Sequence, residues 1–304
     1  MWSIDFRKTP QAAQNNPLSA PFIKAYHFGY MDYLPNWYFF WHQHPKSAEV
    51  VLIQEGSGCL HVGNQRIPLA PGHICIVPPL MLHYFSTEDK CGLRYYSLGL
   101  STDDPDCDLS AWVNGSSCLV IPLAQKLDFL TAGFRTLAEH IHKNQNQCDA
   151  VFQSLLYGIL MWIRRQAFEM HIEPVGPGKV AIQEVLTYIA EHYSETLTLN
   201  QLSRRFGISP AHLSRLFKQT CGLSPINYII YYRISQSVIM LQATNMSIAD
   251  ITYAVGYQNQ AHFSNLFSQQ IGFTPTAFRT RYIEEMKQNH ISYYQSPDIT
   301  AALY

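Results

Sequence analysis

The sequence predicts an α+β protein whose N-terminal part is an antiparallel β-sandwich or β-barrel and whose C-terminal part is helical. Short runs of β-forming residues alternate with turn signals between residues 22 and 122, a spacing typical of antiparallel sheets. From about residue 124, apolar residues recur at steps of three and four, as on amphipathic helices. One helical segment also occurs twice within residues 180–282, which indicates a duplicated subdomain.

The predicted strands lie between loops that contain glycine, proline or asparagine. The strands include EVVLI, GCLHV, HICIV and RYYSLGL, and the turns include EGSG at 55–58, VGNQ at 62–65 and APGH at 70–73. Because strands this short and close together pair most simply with their neighbours, we assign residues 1–122 to one β-domain.

Two helices are predicted to follow the sheet. One face of the first carries Leu127, Leu130, Phe134, Leu137 and Ile141. The second, over 151–168, is apolar on most sides, as expected for a buried core helix or for a helix whose extra apolar face meets another subunit. The predicted divisions are a helical dimerisation segment at 123–172, a proline- and glycine-rich linker at 173–179, a helical domain at 180–283 and a weakly patterned tail at 284–304.

Composition excludes several classes of protein. The 304-residue chain has no apolar segment of about 18 residues and no cationic leader, so we expect a cytoplasmic protein without a membrane partner. Its seven cysteines form no CxxC pair, which argues against a disulfide scaffold and a cysteine zinc site. The sequence contains no glycine-rich phosphate loop, GxSxG or HExxH motif, so no catalytic site and no cofactor are predicted.

The net charge of −1 hides an uneven distribution. Residues 179–283 carry 8 lysine and arginine residues against 4 aspartate and glutamate residues, whereas residues 1–178 carry 12 against 15. A basic C-terminal domain is a modest signal for a polyanionic partner such as nucleic acid.

A segment of the C-terminal domain is repeated 50 residues later. AHLSRLFKQTCGLSPINY at 211–228 and AHFSNLFSQQIGFTPTAF at 261–278 are identical at 8 of 18 positions. Each copy predicts a short helix, a turn at Gly207 or Gly256, and a second helix; Ser209 is placed to cap the second helix of the first copy. Such a pair is a helix-turn-helix, whose second helix can enter the DNA major groove.

Longer stretches of this region carry a family resemblance. SIADITYAVGYQNQAHFSNLFSQQIGFTPTAFR at 247–279 resembles the signature of the AraC/XylS family of bacterial transcription regulators, and LNQLSRRFGISPAHLSRLFKQTCGLSPINYI at 199–229 resembles its first helix-turn-helix. YYRISQSVIMLQATNMSI at 231–248 is similar to the helix that links the two motifs. The resemblance implies a cupin-type (jelly-roll) barrel that binds a small-molecule effector, most often a sugar. It also implies an activator that acts as a homodimer with double-stranded DNA and RNA polymerase as partners.

Each predicted recognition helix has an apolar stripe and an opposite face that is free to contact DNA. The expected DNA-contacting residues are Ala211, Ser214, Arg215 and Lys218 in the first motif, and Gln260, Ala261, Ser264 and Asn265 in the second. Arg215 suits guanine, whereas Gln260 and Asn265 suit adenine. Phosphate contacts are expected from Lys218, Arg204, Arg205, Arg279 and Arg281. We expect His212 and His262 to pack or to bond to backbone rather than to read bases.

The second motif departs from the family pattern. The family usually has basic residues after the phenylalanine of the second recognition helix, where this sequence has Ser268 and Gln269. Residues 248–275 contain no lysine or arginine. We therefore expect the first motif to anchor DNA binding and the second to depend on sequence fit or DNA bending.

The β-domain contains the stretch WHQHPKSAE at 41–49 and a later histidine, His83. On a strand, His42 and His44 would point to the same face, and with Glu49 and His83 they match the ligand pattern of metal-dependent cupins. Sensor domains that resemble this one carry a similar pattern yet commonly bind an organic effector without metal. We therefore expect these four residues to line an effector pocket, together with Trp37, Tyr38 and Trp41, and do not assign a metal.

Two alternatives remain open from the sequence. The barrel could be a metal-dependent isomerase or dioxygenase of the cupin type, fused to a DNA-binding unit, with His42, His44, Glu49 and His83 as its ligands. It could also serve dimerisation or the binding of a partner protein in a regulator that needs no small molecule. The leading interpretation is a ligand-responsive regulator of genes for the uptake or breakdown of a small molecule.

Overall fold

The structure, a computed structural model, describes most of the chain. The described residues are 2–5, 23–35, 41–87, 90–102, 108–113, 117–123, 126–143, 149–169 and 177–289, of which 2–5, 177–181 and 284–289 are described by their backbone alone. Trp37, Tyr38, most of the predicted linker and most of the predicted tail lie outside these ranges.

The described residues form two compact units. Almost all of those up to Pro177 belong to the first unit, and those from Gly178 onward belong to the second. The strands are β1 (Trp2–Asp5), β2 (Ile23–Tyr33), β3 (Ala48–Gly56), β4 (Gly58–Val62), β5 (Gln65–Leu69), β6 (His73–Val77), β7 (His83–Thr87), β8 (Leu93–Thr102) and β9 (Leu119–Pro122). The helices that accompany them are α1 (Leu109–Val113), α2 (Leu127–Lys143) and α3 (Ala150–Glu169).

The strands are arranged in two sheets, so the predicted β-rich domain is confirmed. One sheet has the strand order β1-β2-β8-β3-β6-β9 and the other has the order β5-β4-β7. In the larger sheet β8 lies between β2 and β3, and Gly99 of β8 pairs with His27 on one side and with Glu49 on the other. Because side chains alternate between the faces of a sheet, these three residues form one row on the same face.

The other face of the larger sheet packs against α2 and α3. Phe28 of β2, Val50 of β3 and Leu98 of β8 are buried in one apolar cluster with Phe134 of α2 and Phe152 of α3. The predicted apolar stripe of α2 is confirmed. Its buried members are Leu130, Phe134, Leu137 and Ile141. Each fully buried side chain of this kind contributes about 1.5–3 kcal/mol to folding.

A buried glutamine fastens α3 to the first residue of β2. The backbone N–H of Ile23 donates to Oε1 of Gln153 at 3.0 Å, and Nε2 of Gln153 donates to the carbonyl of Ile23 at 2.9 Å. The Gln153 side chain therefore satisfies both backbone groups of a residue that is buried away from water.

The second unit is helical, and both predicted helix-turn-helix motifs are present. Its helices are α4 (Pro177–His192), α5 (Leu199–Phe206), α6 (Pro210–Cys221), α7 (Pro225–Ala243), α8 (Ile248–Ala254), α9 (Gln260–Ile271) and α10 (Pro275–Asn289). The first motif is α5–α6, and the second is α8–α9. In the turn of each motif a glycine adopts a positive φ, 64° at Gly207 and 89° at Gly256, which an L side chain adopts only with strain.

The expected strand through His42 and His44 is reduced to a single bridge in its described part. Within residues 41–47 only His42 pairs, with His83. Pro45 follows directly, and a proline has no N–H with which to continue a ladder. His42 and His44 therefore do not converge through alternation along one strand, which corrects the expectation, and their convergence has another cause.

The cysteines whose environment is described are free thiols. They are Cys59, Cys75, Cys91, Cys118 and Cys221. Burial raises the pKa of Cys118 to about 11 and that of Cys221 to about 12, so both thiols stay protonated at neutral pH. Among the described residues, no helix combines the length and the apolar character needed to cross a membrane.

Candidate functional site

Four of the predicted pocket residues come together near the start of β3. His42, His44, Glu49 and His83 each offer one imidazole nitrogen or carboxylate oxygen, and these four atoms all lie within 4.8 Å of one another. Glu49 and His83 are buried, whereas His42 and His44 are half-buried. We refer to these four residues as the histidine–glutamate cluster.

Backbone hydrogen bonds place the three histidines. The N–H of His42 donates to the carbonyl of His83 at 3.0 Å, and the N–H of His83 donates back to the carbonyl of His42 at 2.9 Å. The centroids of their rings are 4.2 Å apart. The carbonyl of His44 accepts from the N–H of Leu80 at 3.0 Å. The chain segment before β7 thus holds His42 and His44 side by side without a regular strand between them.

Contacts at both carboxylate oxygens orient the Glu49 side chain. Its Oε2 lies 3.4 Å from Nε2 of His44, within the cluster. Its Oε1 accepts a hydrogen bond of 2.5 Å from Oγ of Ser97, and Oγ is also 2.9 Å from Nε2 of His27. Since the one hydroxyl proton of Ser97 is given to Glu49, Nε2 of His27 must carry a proton and donate to Oγ.

Gly99 makes this second layer of contacts possible. It separates His27 from Glu49 in the row across β2, β8 and β3. A Cβ atom at this position would lie 2.3 Å from Nδ1 of His27. Nε2 of His27 is only 3.9 Å from Oε1 of Glu49, although strands two positions apart are separated by about 9.5 Å. The side chains of His27 and Glu49 approach each other in the space above Gly99, where a side chain on residue 99 would otherwise lie.

Sequence reasoning missed His27, Ser97 and Gly99. Ser97 and Gly99 lie in the predicted strand RYYSLGL, where alternation places them on the same face, so their shared orientation was available from the sequence. Their bonding partners could not be identified in this way. His27 lies 70 residues from Ser97 in the chain, and Glu49 lies 48 residues from it. Only the pairing of β8 with both β2 and β3 shows that these side chains are close in space.

Trp41 is the member of the predicted aromatic set that the structure describes. Its ring is half-buried and meets the edge of the Tyr84 ring, with the centroids 4.7 Å apart. Tyr96 of β8 instead packs in the apolar core beneath α2, where its ring centroid lies 5.6 Å from that of Phe134. The aromatic residues therefore divide between core packing and the neighbourhood of the cluster.

The histidine–glutamate cluster can perform two kinds of chemistry. Imidazole nitrogens and a carboxylate oxygen can hydrogen-bond to the hydroxyl groups of a small molecule. The same atoms are ligands that proteins use for zinc, iron and nickel. The donor set therefore fits a polar effector, a transition-metal ion, or both together.

The predicted DNA-contacting face of the first motif is exposed on α6. Ala211, Arg215 and Lys218 are exposed and Ser214 is half-buried, whereas Leu213 and Phe217 on the other side are buried. One guanidinium nitrogen of Arg215 lies 2.9 Å from Nδ1 of His212. This contact holds the guanidinium close to the first turn of α6, the part of a recognition helix that commonly contacts base edges.

The second motif presents the corresponding face of α9 without charge. Gln260, Ala261 and Asn265 are exposed and Ser264 is half-buried, whereas Phe263 and Phe267 are buried. Asn259 caps this helix by accepting from the N–H of His262 at 2.9 Å. The two recognition helices thus share their capping and their core positions but differ in the charge of their outer faces.

The predicted phosphate-contacting arginines differ in how available they are. Arg204 is exposed. The Arg205 guanidinium lies 4.0 Å from the centroid of the Tyr188 ring, and that of Arg281 lies 5.0 Å from the centroid of Phe273. Arg279 is half-buried, its Nε donates to the carbonyl of Leu241 at 3.4 Å, and burial lowers its pKa. Of these side chains, Arg279 is the least free to reach a phosphate.

The expectation that His212 and His262 pack or bond to backbone rather than read bases stays a prediction; the His262 ring packs edge to face with that of Tyr257, with the centroids 5.9 Å apart. Both side chains are exposed. What the two positions share is the backbone N–H, which donates to the capping residue, Ser209 Oγ at 3.4 Å in the first motif and Asn259 Oδ1 in the second. The repeated histidines therefore occupy the N3 position of a capped helix, where the backbone rather than the side chain makes the bond.

Arg233 of α7 joins the two halves of the helical unit, and sequence reasoning did not identify it. Its Nε donates to the carbonyl of Tyr193 at 2.7 Å, and one terminal nitrogen donates to the carbonyl of Glu195 at 2.6 Å. Its guanidinium also lies 5.1 Å from the centroid of the Tyr257 ring. The Arg233 guanidinium thus hydrogen-bonds to backbone carbonyls just after α4 and also contacts Tyr257 in the turn of the second motif.

Comparison with protein families supports both halves of this description. A family model described as an AraC-like ligand binding domain matches residues 24–157. A model described as a helix-turn-helix domain matches residues 202–281. The histidine–glutamate cluster lies in the first match, and both recognition helices lie in the second.

Relatives with similar sequences are transcription regulators rather than enzymes. The chain is 25% identical to the HTH-type transcriptional activator RhaS of Pectobacterium carotovorum, over 76% of this chain and 84% of that protein. It is 24% identical to the arabinose operon regulatory protein of Escherichia coli, over 75% and 78% of the two chains. The crystal structure of ToxT from Vibrio cholerae O395 superposes with a TM-score of 0.56 at 12% identity, over 83% of this chain and 97% of that chain, which shows a shared fold.

Proposed function

Because this chain belongs to the AraC family of transcription regulators, we propose that it activates transcription when a polar small molecule binds its N-terminal domain. The observation that carries the proposal is the presence of two recognition helices with exposed outer faces on the same chain as a buried polar cluster. The helices supply DNA binding, and the cluster supplies the contacts for an effector.

DNA binding is proposed to use α6 and α9 in successive major grooves. Two recognition helices fixed on one unit are expected to meet grooves about 34 Å apart. In vitro selection from random duplex DNA with the full-length chain should return sites with two conserved segments about one helical turn apart. Selected sites with a single conserved segment would contradict a reading role for α9.

The effector is proposed to be a hydroxyl-rich small molecule such as a sugar. The imidazoles and carboxylate of the cluster support this choice, because a site that buries polar atoms discriminates against ligands that cannot bond to them. Among the relatives, one is named for the arabinose operon. A ToxT structure of similar fold instead contains an unsaturated fatty acid, with a TM-score of 0.54 and 11% identity.

A thermal-shift screen separates these two ligand classes. Sugars, sugar acids and polyols should include a compound that raises Tm, because a ligand bound to the native state alone stabilises that state. Long-chain unsaturated fatty acids should not raise it. A set of hits confined to fatty acids would contradict the proposed polar effector.

We further propose that α2 and α3 mediate dimerisation. Large apolar side chains remain exposed on these helices at Phe129, Val151 and Phe168, with 57%, 55% and 61% of their surface accessible. Light scattering should detect a dimer of the full chain, and Phe129→Asp should shift it toward monomer. Leu34→Asp is the matched control, since Leu34 is also exposed but lies outside these helices. A monomer at micromolar concentration with and without DNA would overturn this assignment.

Activation is proposed to proceed through contact with RNA polymerase in the bacterial cytoplasm, where the DNA lies. In vitro transcription from a promoter that carries a selected site should rise when the regulator and effector are added together. A fall in transcription under the same conditions would identify a repressor instead.

A further inference from the structure

We propose that His42, His44, Glu49 and His83 hold one divalent first-row transition-metal ion. Three imidazole nitrogens and one carboxylate oxygen are its protein ligands. This inference deepens the proposed function. One part rests on that function, namely that oxygen atoms of the effector bind to the ion.

The separation of the four atoms suits an ion of this size. Ligands about 2.0–2.2 Å from a metal lie about 3.3–3.6 Å apart in a tetrahedron and up to about 4.3 Å apart across an octahedron. All four candidate atoms lie within 4.8 Å of one another. The largest separation allowed by this limit exceeds that of a metal shell, so binding an ion requires the side chains to rotate toward a common centre.

The charge of the cluster also favours an ion. Glu49 has 3% of its surface exposed and His83 has 1%, and a nearby positive charge offsets the cost of burying a carboxylate. A divalent cation at the cluster would supply this positive charge beside Glu49.

The contacts around the cluster resemble the outer support of a metal site. A carboxylate that binds a metal through one oxygen is commonly held by a hydrogen bond to the other. Oε2 of Glu49 faces His44, and Oε1 accepts from Ser97, which His27 supports in turn. The contacts of His27 and Ser97 therefore hold Glu49 with Oε2 facing the cluster and Oε1 outside it.

The ligand set selects among metals. Imidazole suits zinc, iron, nickel and copper, whereas magnesium and calcium prefer sites made of oxygen atoms. A set with three nitrogens should therefore bind Zn²⁺, Ni²⁺ and Co²⁺ and leave Mg²⁺ and Ca²⁺ in solution. Four protein ligands also leave positions in a five- or six-coordinate shell for oxygen atoms of another molecule.

The test is calorimetric titration of chelator-treated, full-length protein with Zn²⁺, Ni²⁺, Co²⁺, Mg²⁺ and Ca²⁺. We expect one ion per chain for the first three and no binding of the last two. His42→Ala and His83→Ala should each weaken binding by more than about 100-fold, and Ser97→Ala by about 10–100-fold. The control is His61→Ala, because His61 bonds to Ser86 on another part of the domain and lies outside the cluster.

Two outcomes would overturn the proposal: no stoichiometric binding of any of the three transition ions, or equal binding by the wild type and the two histidine variants. Where a variant fails to fold, X-ray absorption of Co²⁺ bound to the wild type decides the matter. Scattering from about three imidazoles supports the site, and a shell of oxygen atoms alone contradicts it.

DNA binding, measured on the same chelator-treated protein, separates this inference from the proposed function. Absence of metal binding with sequence-specific DNA binding intact would reject the metal site alone. Metal binding without any sequence-specific DNA binding would reject the proposed regulator and retain the site. Effector binding that persists at full strength without metal would reject the ion as the group that receives the effector.

Discussion

The imidazole of His27 occupies the space that a side chain on Gly99 would fill. A Cβ atom on residue 99 would lie 2.3 Å from Nδ1 and 2.4 Å from Cε1 of the ring. From this position His27 bonds to Ser97, which donates to Glu49. The absence of one side chain on β8 therefore lets polar groups from three neighbouring strands meet.

Gly99→Ala is expected to reduce the free energy of unfolding by about 1–3 kcal/mol, because the ring or the strand must move. Chemical denaturation of the full-length chain measures the loss. Gly158→Ala is the control, since an added Cβ on the exposed Gly158 of α3 meets nothing within 4 Å, and a helical alanine in place of glycine should stabilise by up to about 1 kcal/mol. Similar stabilities of the two variants would contradict the packing described for His27.

The two turn glycines of the helix-turn-helix motifs are expected to respond differently to alanine. At Gly207 an added Cβ meets nothing within 4 Å, whereas at Gly256 it would lie 2.6 Å from the carbonyl oxygen of Ser194. Gly207→Ala should cost about 1 kcal/mol from its positive φ alone. Gly256→Ala should cost more, because backbone strain and a backbone clash add together. Thermal denaturation compares the two, and an equal loss would rule out the clash.

Arg215 and Lys218 are expected to affect DNA binding in different ways. Arg215→Ala should weaken binding to a selected site by about 1–3 kcal/mol and leave random DNA less affected. Lys218→Ala should weaken both alike and lower the salt dependence of binding by about one unit. Titrations at several salt concentrations measure both effects. An equal loss on selected and random DNA for Arg215→Ala would remove it from the base-reading residues.

Arg233→Ala is expected to destabilise the helical unit by at least about 2 kcal/mol, because two backbone carbonyls lose a charged donor. Arg233→Lys should recover only part of the loss, since an ammonium lacks the planar fork that reaches both carbonyls. Arg204→Ala is the control and should lie within about 0.5 kcal/mol of the wild type, as is usual for an exposed residue. Denaturation of the full-length variants provides the measurement.

The recognition helices and most strands could be predicted because their signals are local. Ser209 precedes α6 and Gly207 ends α5, so the sequence marks the ends of both helices within a few residues. The strand HICIV shows β-forming residues between two turns and coincides with β6. Signals of this kind depend on neighbouring residues and not on the rest of the fold.

The surroundings of Glu49 could not be predicted because they depend on strand register. A shift of one residue between β3 and β8 would move Ser97 to the opposite face and separate it from Glu49. The positions of His42 and His44 depend similarly on Leu80 and His83, which approach from a distant part of the chain. The histidines and the glutamate can be recognised in the sequence as a possible site. The support from His27 and Ser97 can be recognised only from the pairing of β8 with β2 and β3.

The bond between Gln153 and Ile23 limits how the N-terminal domain can respond to a ligand. Two buried hydrogen bonds would have to break before α3 could slide along the sheet, and each broken bond would leave a desolvated group at about 1–3 kcal/mol. Displacement of α3 together with β2, as one piece, breaks neither. Movement of α3 together with β2 is therefore the response to a ligand that costs the fewest buried hydrogen bonds.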